Sequence, residues 1–193
     1  MSAPAPLTHA AERTELLGLL ARHVCADERE ADSRARIQKL LETGKDPWSR
    51  AHFVPGHLTA SAIIVDEPRA RTLLIFHAKL QLWLQPGGHF EAGEFAPSVA
   101  AQREVREETL LEPRLPTGVP PLWDVDVHNI PARKADPLHE HHDLRLLVLA
   151  DPGREQVGDG VTQAQWFSPD ECAKLSLDPG LKRALNKLPG WRI

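Results

Sequence analysis

The sequence predicts an α/β chain in which a mixed β-sheet is layered between helices and preceded by a helical pair. Three observations carry this. Strand-like segments recur between residues 57 and 167, a carboxylate-bearing helix interrupts them directly after a glycine-rich turn, and a further helix closes the chain. Strands on both sides of an intervening helix point to a sheet with helices on its two faces. At 193 residues the chain can bury a sizeable core and suits one domain with an appended element.

Each element has its own signal. Residues 1–7 read as a frayed end, and Thr8 is expected to cap a helix carrying Leu16, Leu17, Leu19, Leu20 and Val24. A second helix is expected from Ala31 to Glu42, carrying Ile37, Leu40 and Leu41 and ending at Gly44. This helical extension, residues 1–50, is expected to pack against the sheet or against a second subunit, the latter giving a homodimer. The domain proper is taken as 51–193. After a connection from Lys45 to Gly56, strands His57–Asp66 and Arg71–Ala78 form a hairpin about Glu67-Pro68. Lys79–Gln85 leads into the glycine-rich turn.

The next helix opens at Pro97, whose missing N–H is harmless in a first turn, with Val99, Ala100, Val105 and Leu110 as its apolar stripe. Pro113, Pro116, Pro120 and Pro121 then enforce an irregular loop. Leu122–Ile130 alternates, with Trp123, Val125 and Val127 opposite Asp124, Asp126 and His128. Beyond a loop, His139–Ala150 is a strand whose Leu144, Leu146 and Val148 should enter the core. Its opposite face carries His139, His141, Asp143 and Arg145. A short strand, Thr162–Phe167, feeds a helix capped by Ser168 with Pro169 behind it, and Leu181–Leu188 is the final helix.

Composition narrows the function. A net charge of −4 argues against a binder of nucleic-acid backbones. Cys25 and Cys172 stand far apart with no CxxC, which suggests neither a disulfide framework nor a zinc site. No run approaches the ~20 apolar residues needed to span a bilayer. The N-terminus lacks a basic segment followed by an apolar one, so a cytoplasmic location is expected.

The chemistry concentrates between Gln85 and Leu111, QPGGHFEAGEFAPSVAAQREVREETLL. Glu104, Glu107 and Glu108 stand at i, i+3 and i+4, which crowds three carboxylates onto one helix face within about 5–6 Å. They repel one another unless a hard cation such as Mg²⁺ takes their oxygens. Gly87 and Gly88 let backbone approach a ligand and offer carbonyls. A solvated acidic face would explain REVREETLLE alone, but the glycines and Glu94 upstream favour a metal-and-phosphate site.

These residues resemble the Nudix box, in which a glycine and a glutamate precede Arg-Glu-hydrophobic-x-Glu-Glu-x-Gly-hydrophobic. Gly88, Glu94, Arg103, Glu104, Val105, Glu107, Glu108 and Leu111 match. Two positions depart. Eight residues rather than seven separate Glu94 from Arg103, the extra one being placed in the loop near Phe95 and Ala96. Leu110 stands where the family has glycine, so the helix is expected to run on and stop before Pro113. The strand entry WLQPGGH and the later HEHHDLR resemble one subgroup of the family.

The resemblance implies an α/β/α sandwich over roughly residues 55–175. It also implies Mg²⁺- or Mn²⁺-dependent hydrolysis of a pyrophosphate bond in a nucleoside diphosphate linked to another moiety, a small-molecule phosphoanhydride. Glu104, Glu107 and Glu108, with a carbonyl of Gly87 or Gly88, would hold the metal. Arg103 would orient a glutamate, and Glu94 would support a bound water. The general base is not fixed by the resemblance, and His141 is taken as a candidate because histidine beside carboxylate suits proton transfer near neutral pH. His89, Lys79, Asp124, His128, His139, Asp143 and Arg145 are candidate substrate contacts, on the expectation that the two polar strand faces pair and front one cleft. Competing readings are an isoprenoid-diphosphate isomerase, which needs a reactive cysteine, and a non-catalytic nucleotide-binding module, which should have lost box glutamates. A decapping-type enzyme should carry basic tails.

Overall fold

The computed structural model describes residues 8–78, 80–133, 135–153, 155–158 and 161–193. In chain order the elements are α1 (Ala10–Arg22), α2 (Glu28–Thr43), β1 (Gly56–Val65), β2 (Thr72–His77), β3 (Leu82–Leu84), β4 (Gly87–His89) and α3 (Pro97–Thr109). Then follow β5 (Asp124–Ile130), β6 (His139–Leu149), β7 (Val161–Phe167), α4 (Pro169–Cys172) and α5 (Pro179–Asn186).

The spine is β1. Along one edge it pairs in parallel with β6 over its whole length, from Gly56↔Glu140 to Val65↔Leu149. Its other edge is shared between β4, opposite Thr59 to Ser61, and β2, opposite Ile64 and Val65. β5 is antiparallel to β6, and β2 also carries β3 and β7, so the sheet is mixed, as expected.

Alternation along β1 and β6 assigns the two faces. Leu58, Ala60, Ala62, Ile64, Leu144, Leu146 and Val148 are buried together with Leu16, Leu20, Ile37, Leu40 and Leu41 of α1 and α2 and with Ala100, Ala101 and Val105 of α3. On the opposite face Ile63, Val65 and Leu147 meet Leu181, Ala184 and Leu185 of α5. The helical pair therefore shares a core with the sheet. At the β5 edge α2 supplies side-chain acceptors: Val125 N–H donates to Glu30 and Val127 N–H to the Ser33 hydroxyl. Covering an edge strand in this way blocks pairing with other chains.

Several local expectations change. Thr8 does not cap α1. Its hydroxyl donates to the Lys45 carbonyl, and His9, in a left-handed conformation, takes the N-cap position without a side-chain bond. The helix ends at Arg22, leaving Val24 exposed. α2 begins earlier than expected because Asp27 accepts from Glu30 N–H as its cap. The stripe of α3 is Ala100, Ala101 and Val105, whereas Val99 and Leu110 are exposed. The helix does not run on toward Pro113. It stops at Thr109, and Leu110 adopts the left-handed C-cap conformation at φ 54°.

Packing explains the stop. Leu111 is 3% exposed, and burying a leucine is worth about 1.5–3 kcal/mol. A left-handed residue costs roughly 1–2 kcal/mol, so the turn that delivers Leu111 to the core prevails. Leu110→Gly should remove that cost with little loss of burial and raise stability by about 0.5–1 kcal/mol after allowing for glycine's greater unfolded freedom. Urea denaturation of the two proteins checks it.

A second prediction comes from Glu30, fully buried where α2, β5 and α5 meet. Burial alone would raise its carboxyl. The bonds from His23, Ala26 N–H and Lys187 more than offset this and hold it well below the ordinary carboxylate range. A depressed carboxyl stabilises the fold above its unfolded value, near 4.5, and that stability is lost as the pH falls toward its folded value. Glu30→Gln should therefore cost about 1–3 kcal/mol at pH 7, through the lost charge-assisted bonds while Lys187 keeps Asp124 and the Trp123 carbonyl, and should flatten the loss of stability on acidification below pH 4.5. Denaturation midpoints at pH 7 and pH 4 test both parts.

Candidate active site

The site is built where β4 lies against α3. Gly88 leaves room for Glu104: a Cβ there would stand 2.4 Å from Glu104 Oε1 and displace that carboxylate. Gly87 is more tightly constrained, since a Cβ there would meet Ser61 Cβ at 2.3 Å and the Ala60 carbonyl at 2.8 Å, and its N–H donates to Glu108 Oε2 at 3.1 Å. Between β4 and α3 the chain reverses through Glu91–Glu94, where Gly93 takes φ 89° and Glu94 accepts from Glu91 N–H. Phe95 and Ala96 lie outside α3. The Phe95 ring packs on His9 and Trp48, and its carbonyl accepts from the Trp48 indole.

Arg103 draws these parts together. Its Nε and Nη2 grip the Glu94 carboxylate at 3.0 and 3.1 Å. Nη1 donates to Glu104 and Glu107 at 2.8 and 2.9 Å, and Nη2 also reaches the His89 carbonyl at 2.8 Å. Burial pushes the Glu94 carboxyl up, but Arg103 more than reverses this. Arg103 does not reach Glu108. Burial raises Glu104, with Arg103 only partly offsetting it, and burial pushes Glu108 up to about 8, with Glu104 and Glu107 adding to the rise. Carboxylate oxygens of Glu104, Glu107 and Glu108 beside half-buried glycine backbone suit a hard divalent cation.

The other candidates divide. β5 and β6 do pair with Asp124, Asp126 and His128 on the face of Arg145, Asp143 and His141. The expected open cleft does not extend along that face. Asp124, Asp143 and Arg145 are buried beneath α5, where Arg183 donates twice to Asp124, at 2.9 and 2.8 Å, and once to Asp126. Arg145 pairs with all three aspartates, and Asp143 also accepts from the Thr59 and Ser61 hydroxyls. Every charge in this network has a partner, so it serves as a structural seal. Lys79 lies outside the described residues.

At the other end of the same face, His57, His89, His139 and His141 cluster, with His128 beside His141. Burial, followed by the neighbouring imidazoles, holds His141 far below the ordinary histidine range, which makes it a weak proton acceptor at pH 7. His57 was not among the expected site residues. A signal was present, because His57, Thr59, Ser61, Ile63 and Val65 turn from polar to apolar as His139 to Leu147 do. A cavity of about 540 Å³ opens beside Glu94, between Leu16 and Leu19 of α1, Phe95–Val99 and Val119–Leu122; Glu104, Glu107 and Glu108 do not line it.

The NUDIX domain model matches residues 55–188. The chain belongs to the NUDIX family. Its fold is likewise that of solved family structures. A NUDIX-family hydrolase from Clostridium perfringens is 24% identical, with 68% of this chain and 97% of that one covered and a TM-score of 0.51. The E. coli dihydroneopterin triphosphate pyrophosphohydrolase is 19% identical, with 68% and 93% covered and a TM-score of 0.52. The protein is thus an enzyme of the Nudix pyrophosphohydrolase type. Among the described residues, no helix is long and apolar enough to cross a membrane.

The crowding at Gly88 gives a direct test of this NUDIX site. Gly88→Ala should push the Glu104 carboxylate aside while leaving helix content unchanged, and hydrolytic turnover should fall at least tenfold. Circular dichroism and a turnover assay together check the prediction.

Proposed function

We propose that the enzyme hydrolyses a pyrophosphate bond in a nucleoside diphosphate linked to a second moiety, using Mg²⁺ or Mn²⁺ held by Glu104, Glu107 and Glu108. The observation that carries this is the geometry of three carboxylates on one helix face, with half-buried Glu108 accepting from Gly87 N–H and Glu104 and Glu107 held by Arg103. A carbonyl of Gly87 or Gly88 completes the oxygen set. A bound cation of this class neutralises charge on the phosphates and activates water for attack at phosphorus.

The chain's own contribution is positioning. Arg103 fixes the rotamers of Glu104 and Glu107 through charge-assisted bonds, and Glu94 holds Arg103 from the opposite side. Gly88 gives the Glu104 carboxylate its space. Cysteine chemistry of the isomerase kind has little support: Cys172 is fully buried and burial pushes its thiol up to about 12, while burial also raises Cys25.

The test is a screen of nucleoside diphosphate derivatives with Mg²⁺ and Mn²⁺, read by phosphate release after coupled cleavage. Glu107→Gln and Glu108→Gln keep helix propensity nearly unchanged, so each variant should stay folded and lose turnover by orders of magnitude. A folded, fully active Glu108→Gln enzyme would exclude the assignment.

A further inference from the structure

Strand alternation separates a second group of ligand-type side chains from the carboxylates. Gly88 faces α3, so His89, its neighbour on β4, points to the other side of the strand. There it meets His57, from β1, and His141, from β6, which the parallel register places directly opposite His57. Ring centroids are 4.9 Å apart for His57–His89, 4.9 Å for His57–His141 and 5.1 Å for His89–His141. One ring nitrogen from each of the three lies within 4.8 Å of the others.

The tautomer of His57 is set by its partner. His57 Nδ1 lies 3.2 Å from the His52 carbonyl, which can only accept, so Nδ1 carries the proton and Nε2 keeps a bare lone pair. His57 is 1% exposed, and Nε2 has no hydrogen-bond partner among the described residues. A buried acceptor without a partner costs about 1–3 kcal/mol. His139 repeats the arrangement alongside: its Nδ1 is 2.8 Å from the Pro137 carbonyl, and its ring stacks on His57 at 5.0 Å. Backbone carbonyls that fix imidazole tautomers in this way are the usual outer support of metal-bound histidines.

We propose that His57, His89 and His141 form a second metal site, which takes a borderline transition cation of the Zn²⁺, Co²⁺ or Ni²⁺ class through three neutral imidazoles. Imidazole nitrogens suit these ions and not Mg²⁺. Tetrahedral coordination needs ligand nitrogens about 3.4 Å apart, so the rings close by small rotations from their present separation. Arg50 and Arg103 act on His89 against Asp136, so the surrounding charge does not favour a cation and binding draws on coordination alone. Three protein ligands leave a coordination position open to water or a small anion.

The full chain, stripped of metal and held in saturating Mg²⁺ to occupy the carboxylates, is titrated with Co²⁺ and then with Zn²⁺. One equivalent of Co²⁺ should bind with the visible d–d bands of a low-coordinate site, and Zn²⁺ should displace it. His141→Gln and the more exposed His89→Gln should each weaken Zn²⁺ on the order of 100-fold or more, while Mg²⁺ binding and helix content stay as in the parent. Glu107→Gln should leave the Co²⁺ bands unchanged. Absence of the bands, their loss in Glu107→Gln, or their persistence in folded His89→Gln would each overturn the proposal. His89→Gln keeps the test decisive if the His141 variant does not fold.

Discussion

The functional end of this molecule depends on one guanidinium. Glu94, Glu104, Glu107 and Glu108 converge on one patch, and unpaired carboxylates that close would repel one another. Arg103 answers with its whole donor fork, shared among three of the glutamates and the His89 carbonyl. Lysine, with a compact ammonium in place of a planar fork, could not reproduce that pattern. Because one of the bonds is to β4 backbone, the residue that organises the carboxylates also fixes the strand carrying Gly87, Gly88 and His89.

The sheet carries a second constraint. On the face opposite α3, both β1 and β6 begin polar and end apolar, and their parallel pairing keeps the two gradients in step. The apolar half is covered by α5. The middle is closed by Arg183, and Gly180 permits the approach, since a Cβ there would stand 2.6 Å from Asp126 Oδ1. At the histidine end the Phe53 ring packs on His57 and His139 instead. One alternating pattern thus yields a core, a buried ion network and a cluster of imidazoles, according to what lies above each part.

That dependence explains how far the sequence could be read. The box was legible because its chemistry is local. Glutamates at i, i+3 and i+4 share a face in any helix, and most strand limits fell within a residue or two of the observed ones. The fate of Asp124, Asp143 and Arg145 was not legible. Their alternation is the same for an open cleft and for a sealed network, and the difference is made by Arg183, 59 residues from Asp124 in sequence. His57 was missed for a related reason, since its place beside His141 follows from a parallel register that no turn specifies. Leu110 misled differently. Its own preference favours a longer helix, yet the burial of Leu111 outweighs that preference.

The alternation at β4 has one more consequence. Gly88 and His89 are adjacent, yet one makes room for a carboxylate and the other presents an imidazole to the opposite side. Hard cations select oxygen and borderline ones select nitrogen, so a single strand can front two chemistries without confusing them. Selectivity then comes from donor type and not from distance. The cost is mechanical. The strand has three residues, pairs with β1 only over Thr59 to Ser61, and is tied to α3 through Arg103 and Glu108. With so few bonds holding it, the strand depends on Arg103 and Glu108 for its place against α3.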